Sequence, residues 1–387
     1  MRRPRRSRIG PGEGARGRTC ARVPNPCLQG RMTSAPRLRR LTSPRDLIES
    51  GLAEPARLAE LEAIAGRYAI SLTPALAALI EPGDPADPIA RQFIPSAREL
   101  IRDPAERDDP IGDDAMSPVK GLVHRYPDRV LIKLVAVCAV YCRFCFRRER
   151  VGPGSGALGA ADFAAALDYV RDRPGIWEVI LTGGDPLTLA PRRIAEATEA
   201  LAAIEHVKVL RWHTRLPVAA PERITKAMAR ALHAEGKTTV VAVHANHPRE
   251  LSASARAACR RLAAAGAMLV SQSVLLKGVN DDEDTLAGLM RAFVEAGVKP
   301  YYIHHGDLAP GTAHWRTSIA RGQELMRALR ARLSGLATPA YMLDIPGGRG
   351  KVPIGPQWIR SGDAGEHVVT DPRGAQHVYA DRLSAER

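Results

Sequence analysis

Residues 129–148 read RVLIKLVAVCAVYCRFCFRR, an apolar and partly β-branched run that delivers Cys138, Cys142 and Cys145 at its carboxyl end. The run predicts a buried strand. The spacing C-x3-C-x2-C puts three thiolates at one strand exit. There they can hold three irons of a four-iron, four-sulfur (4Fe-4S) cluster and leave the fourth iron open to a ligand that is not protein. A structural zinc site is the alternative. Zinc takes four closed ligands in short-spaced pairs, however, and the nearest further candidate, His124, lies on the far side of the strand. A disulfide set fits three clustered cysteines poorly. Elsewhere stand only Cys20, Cys27 and Cys259, which suits a reducing compartment.

Outward from this strand, apolar runs alternate with amphipathic stretches. Strands are expected at 129–137, 178–182, 207–212, 238–243, 268–274, 300–304 and 340–345, and helices at 160–173, 192–204, 221–234, 248–265, 282–296 and 319–333. Strand followed by helix, repeated, means a parallel sheet with helices outside it. Six repeats and a seventh strand make an α/β fold of partial (β/α)6 type, an open barrel with chemistry at the carboxyl ends of the strands. The polar motifs fall at those ends: Gly183-Gly184-Asp185-Pro186 after the second strand, His213-Thr214-Arg215 after the third, His244 to His247 after the fourth. Gln272 lies on the fifth strand and Asp307 trails the sixth. Any one of these alone could equally be a turn or a cap.

Before the barrel, residues 32–117 read as short helices broken by proline, a helical cap with starts at Ser43-Pro44, Pro55 and Thr73-Pro74, the last ending near Glu81-Pro82. The barrel is expected over 118–356 and a short C-terminal extension over 357–387. The net charge of +14 invites a nucleic-acid reading, yet residues 1–31 alone carry nine Arg against one Glu. This Arg-, Gly- and Pro-rich tail has no hydrophobic periodicity, predicts disorder, and has no apolar core of a secretory signal. Translation is expected to start at Met32. No run of about eighteen uncharged apolar residues exists, so the expected location is the cytoplasm.

The cysteine spacing, with an aromatic residue beside the last Cys, resembles the signature of the radical S-adenosylmethionine (SAM) enzymes, and Gly183-Gly184-Asp185-Pro186 resembles the loop with which they hold the amino end of SAM. Within that superfamily the chain is similar to the lysine 2,3-aminomutases from about His124 to Pro356. The likeness includes His124-Arg125-Tyr126-Pro127-Asp128-Arg129, Thr214-Arg215-x-Pro217-Val218, Asn246-His247-Pro248, the run from Gln272 to Asn280, Pro300-Tyr301-Tyr302 and Pro346-Gly347-Gly348-x-Gly350-Lys351.

The resemblance implies three cofactors, a 4Fe-4S cluster on Cys138, Cys142 and Cys145, SAM and pyridoxal phosphate (PLP), and it implies L-lysine as substrate. A glycine run ending in Lys is by itself more often a surface turn or an anion-binding loop. The family's PLP lysine occupies the position of Lys351, which therefore implies the Schiff-base residue. By the same carry-over Arg147 pairs with the substrate carboxylate, Asp307 and Asp344 hold its distant ammonium, and Arg125 and Arg215 are contacts for the PLP phosphate. Gly183, Gly184, Asp185, His244 and Gln272 are contacts for SAM. The implied reaction moves the 2-amino group of lysine to C3, giving β-lysine, after a 5′-deoxyadenosyl radical takes hydrogen from C3.

Clostridial members carry a C-terminal cysteine group that binds zinc between subunits. Here no cysteine follows Cys259, so that metal is not expected and the oligomeric state stays open. Short bacterial relatives supply β-lysine for modification of elongation factor P, and the active site does not separate this use from free lysine metabolism. A flavodoxin or ferredoxin is the implied electron donor. Three other readings remain: a PLP-independent radical SAM enzyme acting on RNA, an aminomutase for another amino acid, and a non-catalytic cluster protein.

Overall fold

The computed structural model describes residues 39–362 and 365–381, so the expectations for residues 1–31 lie outside it. The sheet opens with a hairpin, β1 (Leu122–Tyr126) antiparallel to β2 (Arg129–Val135) across Pro127-Asp128. Parallel strands follow in sequence order: β3 (Glu178–Gly183), β4 (Val209–Thr214), β5 (Thr238–His244), β6 (Met268–Val274), β7 (Lys299–His304) and β8 (Ala340–Asp344). A short β9 (Lys351–Pro353) folds back antiparallel on β8. Each crossover between parallel neighbours carries a helix: Ala160–Arg171, Pro191–Ala202, Lys226–Ala231, Ala253–Ala264, Glu283–Glu295 and Ile319–Arg332.

Side chains alternate across a strand, and the sheet sorts them by that rule. Val130, Ile132, Leu134, Leu210, Trp212, Val241 and Val243 point outward and form one apolar core with helix residues such as Leu201, Leu262, Phe293 and Leu329. Their neighbours Leu131, Arg211, His213, Ala242 and His244 line an interior cavity. The polar residues embedded in the strands mark the concave side.

Among the described residues β1 and β9 share no ladder, so the barrel is open. Side chains and a loop bridge the gap. The Tyr126 hydroxyl accepts the Lys351 amide at 2.6 Å, and the Gly348 amide donates to the Ile111 carbonyl at 3.0 Å. Gly112 has φ +71°, and a Cβ on it would collide with the backbone of Gly347 and Gly348.

The N-terminal segment contains helices Pro44–Glu49, Leu58–Ala65, Pro74–Ala77 and Pro88–Phe93. Ser43 caps the first through a capping box with Asp46. The third ends at Ala77 rather than near Glu81, and Thr73 does not cap it, because its hydroxyl donates to the Ala219 carbonyl. Leu47, Leu72, Leu76, Ile89 and Phe93 bury against Val140 of the cysteine loop and Ala219, so the segment shares a core with the site it precedes. Beyond residue 357 the chain forms a separate antiparallel sheet, β10 (Ile359–Ser361), β11 (Glu366–Thr370) and β12 (Gln376–Ala380).

Candidate active site

Cys138, Cys142 and Cys145 line one side of a cavity of about 490 Å³ at the carboxyl ends of the strands. Hydrogen bonds from the residues between them tie the loop down. The Tyr141 amide donates to the Ser71 carbonyl at 3.1 Å and the Arg143 amide to the Gln92 carbonyl at 2.9 Å. The Arg143 guanidinium grips Glu99 through Nε and NH2, at 3.0 and 2.6 Å to the same oxygen, and Arg148 bonds that carboxylate too. Arg40 bonds the carbonyls of Cys138 and Ala139. Burial pushes all three thiols up, Cys145 to about 11. Deprotonating them together requires a strong compensating positive charge, which iron supplies. His124 is not among the residues that line this cavity with the cysteines, and its Nδ1 meets the Tyr169 hydroxyl at 2.9 Å. The donor set fits a cluster with an open iron.

Gly183 and Gly184 pass so close to the strand that leads to the cysteines that a Cβ on either would strike a carbonyl, of Val135 or Val137 respectively. They lie in the cavity wall with Cys138. Asp185 works on the backbone instead. Its carboxylate accepts from the Thr214 hydroxyl at 2.7 Å, the Arg215 amide at 2.8 Å and the Leu187 amide at 3.0 Å, and so pins the exits of β3 and β4 together. His244 and Gln272 lie side by side on β5 and β6 and both face the cavity. His244 stacks on Phe144 with centroids 5.8 Å apart, burial holds its ring neutral, and its buried Nε2 has no partner among the described residues. An orphaned acceptor or donor in a cavity wall beside the cysteines suits a polar ligand such as SAM.

Arg215 corrects an expectation. Its NH1 donates to Cys142 Sγ at 3.1 Å, and its NH2 donates to Gln92 Oε1 at 2.7 Å and to Glu250. With both ends of the fork committed to this network beside Cys142, it is not a phosphate contact.

A second charged group borders the same cavity. Arg125 donates to Asp113 at 3.1 Å and to the Ile111 carbonyl at 2.9 Å, and Arg147 reaches the other oxygen of Asp113 at 3.1 Å. The buried Nε of Arg125 has no partner among the described residues. Lys351 Nζ contacts Asp344 at 2.5 and 2.6 Å, and His304 Nδ1 lies 3.3 Å from the same carboxylate. Burial pushes Asp344 up, but the His304 hydrogen bond and the Lys351 charge outweigh it and leave the group below the usual carboxylate range. Asp307 is pushed up to about 7 by burial and by the charge of Asp344.

A lysine amine, two arginines with donors facing the cavity and two carboxylates thus share one chamber. The residues present fit PLP, with Lys351 and Arg125 placed to hold it. Sequence reasoning missed Asp113, which carries no motif, and His304, whose neighbour His305 offers the same chemistry but turns to Tyr341.

Residues 132–290 match the model of the radical SAM superfamily. The chain is 37% identical to an L-lysine 2,3-aminomutase of Clostridium subterminale over 81% of this chain and 76% of that protein. It is 36% identical to an L-lysine 2,3-aminomutase of Escherichia coli over 76% and 87% of the two chains. It is 38% identical to a glutamate 2,3-aminomutase of Clostridioides difficile over 76% and 69%. Enzymes of this type are isomerases that use a 4Fe-4S cluster, SAM and PLP. The chain belongs to the lysine 2,3-aminomutase family of the radical SAM superfamily.

Proposed function

We propose that this protein moves the 2-amino group of L-lysine to C3, giving β-lysine. Overall identity does not choose the amino acid, since a glutamate 2,3-aminomutase matches as well as the lysine enzymes do. The observation that carries the choice is local. Asp344 already holds an ammonium, that of Lys351, with Asp307 facing it across the same space. With Lys351 committed to PLP that carboxylate would be free, and the distant ammonium of a lysine substrate is the matching cation. A glutamate side chain would bring a third carboxylate to this place and be repelled.

The bound cofactors supply hydrogen abstraction and return, and the conjugation through which nitrogen migrates. The protein supplies position. Arg147, whose Nε and NH2 hold Asp113, would turn its planar fork to the substrate carboxylate, for which Lys is a poor replacement. Arg125 would hold the phosphate of PLP and Lys351 would offer the amine that binds it. The glycine strap with His244 and Gln272 places SAM next to the cysteines. Lysine would thereby be held at both ends, and the N-terminal segment behind the cysteine loop excludes water from that side. A flavodoxin- or ferredoxin-type carrier reduces the cluster in the cytoplasm, and β-lysine goes to free metabolism or to elongation factor P.

The test is turnover of L-lysine by anaerobically reconstituted protein with SAM, PLP and a reductant, alongside D344N. Losing one member of a buried, charge-paired contact costs about 2–5 kcal/mol, so D344N should lose roughly thirty-fold or more in kcat/KM for lysine. Unchanged kcat/KM would remove the basis for lysine.

A further inference from the structure

Arg215 is an arginine with nothing to do in the chemistry of PLP or substrate, yet it is buried against a cysteine that binds iron. Its NH1 donates to Cys142 Sγ at 3.1 Å, and its Nε is buried without a partner among the described residues. Phe93 and Phe144 cover the guanidinium, with ring centroids 4.7 and 5.6 Å away. The rest of the fork is locked from two directions. Gln92, from helix Pro88–Phe93, accepts at 2.7 Å, and Glu250, from the turn after β5, accepts from NH2 as well.

Glu250 is itself immobilised. Its Oε1 accepts the amides of Asn246 at 2.8 Å and His247 at 3.0 Å, and Gln92 Nε2 donates to it at 3.2 Å. Asn246 Nδ2 returns to Gln92 Oε1 at 3.2 Å, which closes the circuit. Every element is thus placed to hold one fixed positive charge, and one carboxylate that offsets it, next to a single cysteine sulfur.

We propose that Arg215 and Glu250 form an opposed pair that sets the reduction potential of the 4Fe-4S cluster. Reduction adds one electron to the cluster, donated by a one-electron carrier, and makes it more negative by one charge. A guanidinium that donates to a ligand sulfur stabilises the reduced form and raises the potential, while the nearby Glu250 carboxylate lowers it. Water cannot screen the pair, because both side chains are buried. The consequence is functional: the balance of the two charges decides which carriers can reduce the enzyme and how much driving force is left for cleaving SAM. The inference depends on the cluster but not on lysine as substrate, so its failure would leave the substrate reading untouched.

The experiment is a mediated redox titration of the reconstituted protein without substrate, followed by the electron paramagnetic resonance of the reduced cluster. Iron and sulfide per chain are measured first, which separates loss of the cluster from a change in its potential. R215Q should lower the midpoint by at least ~59 mV, a tenfold change in the ratio of oxidised to reduced cluster at fixed poise. R215K, which keeps the charge but not the fork, should fall between R215Q and the native protein. E250Q should move the midpoint upward. Opposite signs at two contacting residues are what an electrostatic role requires and what simple damage to the loop does not produce. Should R215Q fail to retain iron, E250Q decides alone. Midpoints unchanged in iron-replete variants, or shifted in the same direction by R215Q and E250Q, would overturn the proposal.

Discussion

Asp307 lines the cavity, and burial together with the charge of Asp344 pushes its pKa up to about 7. Below that pH it carries a proton, and above it a negative charge. A cationic substrate group favours the charged form, so binding lysine below pH 7 must expel the proton first. Lysine affinity, measured as kcat/KM across pH 6 to 8.5, should therefore rise with pH and level off above about 7. Removing the Asp344 charge takes away one of the two causes of the raised pKa, so the residual activity of D344N should show its rise at lower pH. A flat profile in the native protein would mean that Asp307 does not meet the substrate cation. At this scale the sequence carried chemistry better than contacts. Lys351, Arg147, Asp307 and Asp344 line one cavity, a grouping that came from the resemblance rather than from their own spacing. Arg215 was misplaced, because a strand-exit arginine can swing to either side of the barrel and only the packed Phe93, Phe144 and Gln92 settle which. Asp113 bridges Arg125 and Arg147 from a turn with no recognisable pattern, and nothing in its neighbours announces it.

Two loops meet the barrel mouth under tight steric and electrostatic control. Glu99 is the counter-ion of two buried arginines, Arg143 inside the cysteine motif and Arg148 just after it. E99A leaves both charges buried and uncompensated, at a cost of about 3–5 kcal/mol. The expected outcome is a lower unfolding midpoint together with reduced iron per chain. Native values for both would show that the N-terminal segment does not brace the cysteine loop. Gly112 is the other control point. Its positive φ and its contact with Gly347 and Gly348 leave no room for a side chain, so G112A should push the lysine loop away from Arg125. PLP incorporation, read from visible absorbance, should fall while iron content holds. Equal PLP content in the variant would contradict this role for Gly112. The sequence showed the glycines after β8 but not what they press against, because the two loops are more than two hundred residues apart.

Across the whole molecule, hydrophobic periodicity located all of the parallel strands and their crossover helices, since each carries an apolar outer face long enough to register. It missed β1, β9 and the sheet β10–β12. The ends β1 and β9 are a polar strand and a three-residue strand beside proline and glycine, and the strands of the small sheet are three to five residues with mostly exposed side chains. The cysteine motif was the most legible feature, because three thiols at one strand exit admit little other chemistry. The proposed choice of amino acid rests on Asp307 and Asp344, which line the same cavity as the cysteines. The direct measurement is product identity when the reconstituted, reduced enzyme, with SAM and PLP, is given L-lysine and L-glutamate together at equal concentration. The account predicts β-lysine as the dominant product. β-Glutamate in excess, or turnover of neither amino acid by protein that holds its full iron and PLP, would contradict it.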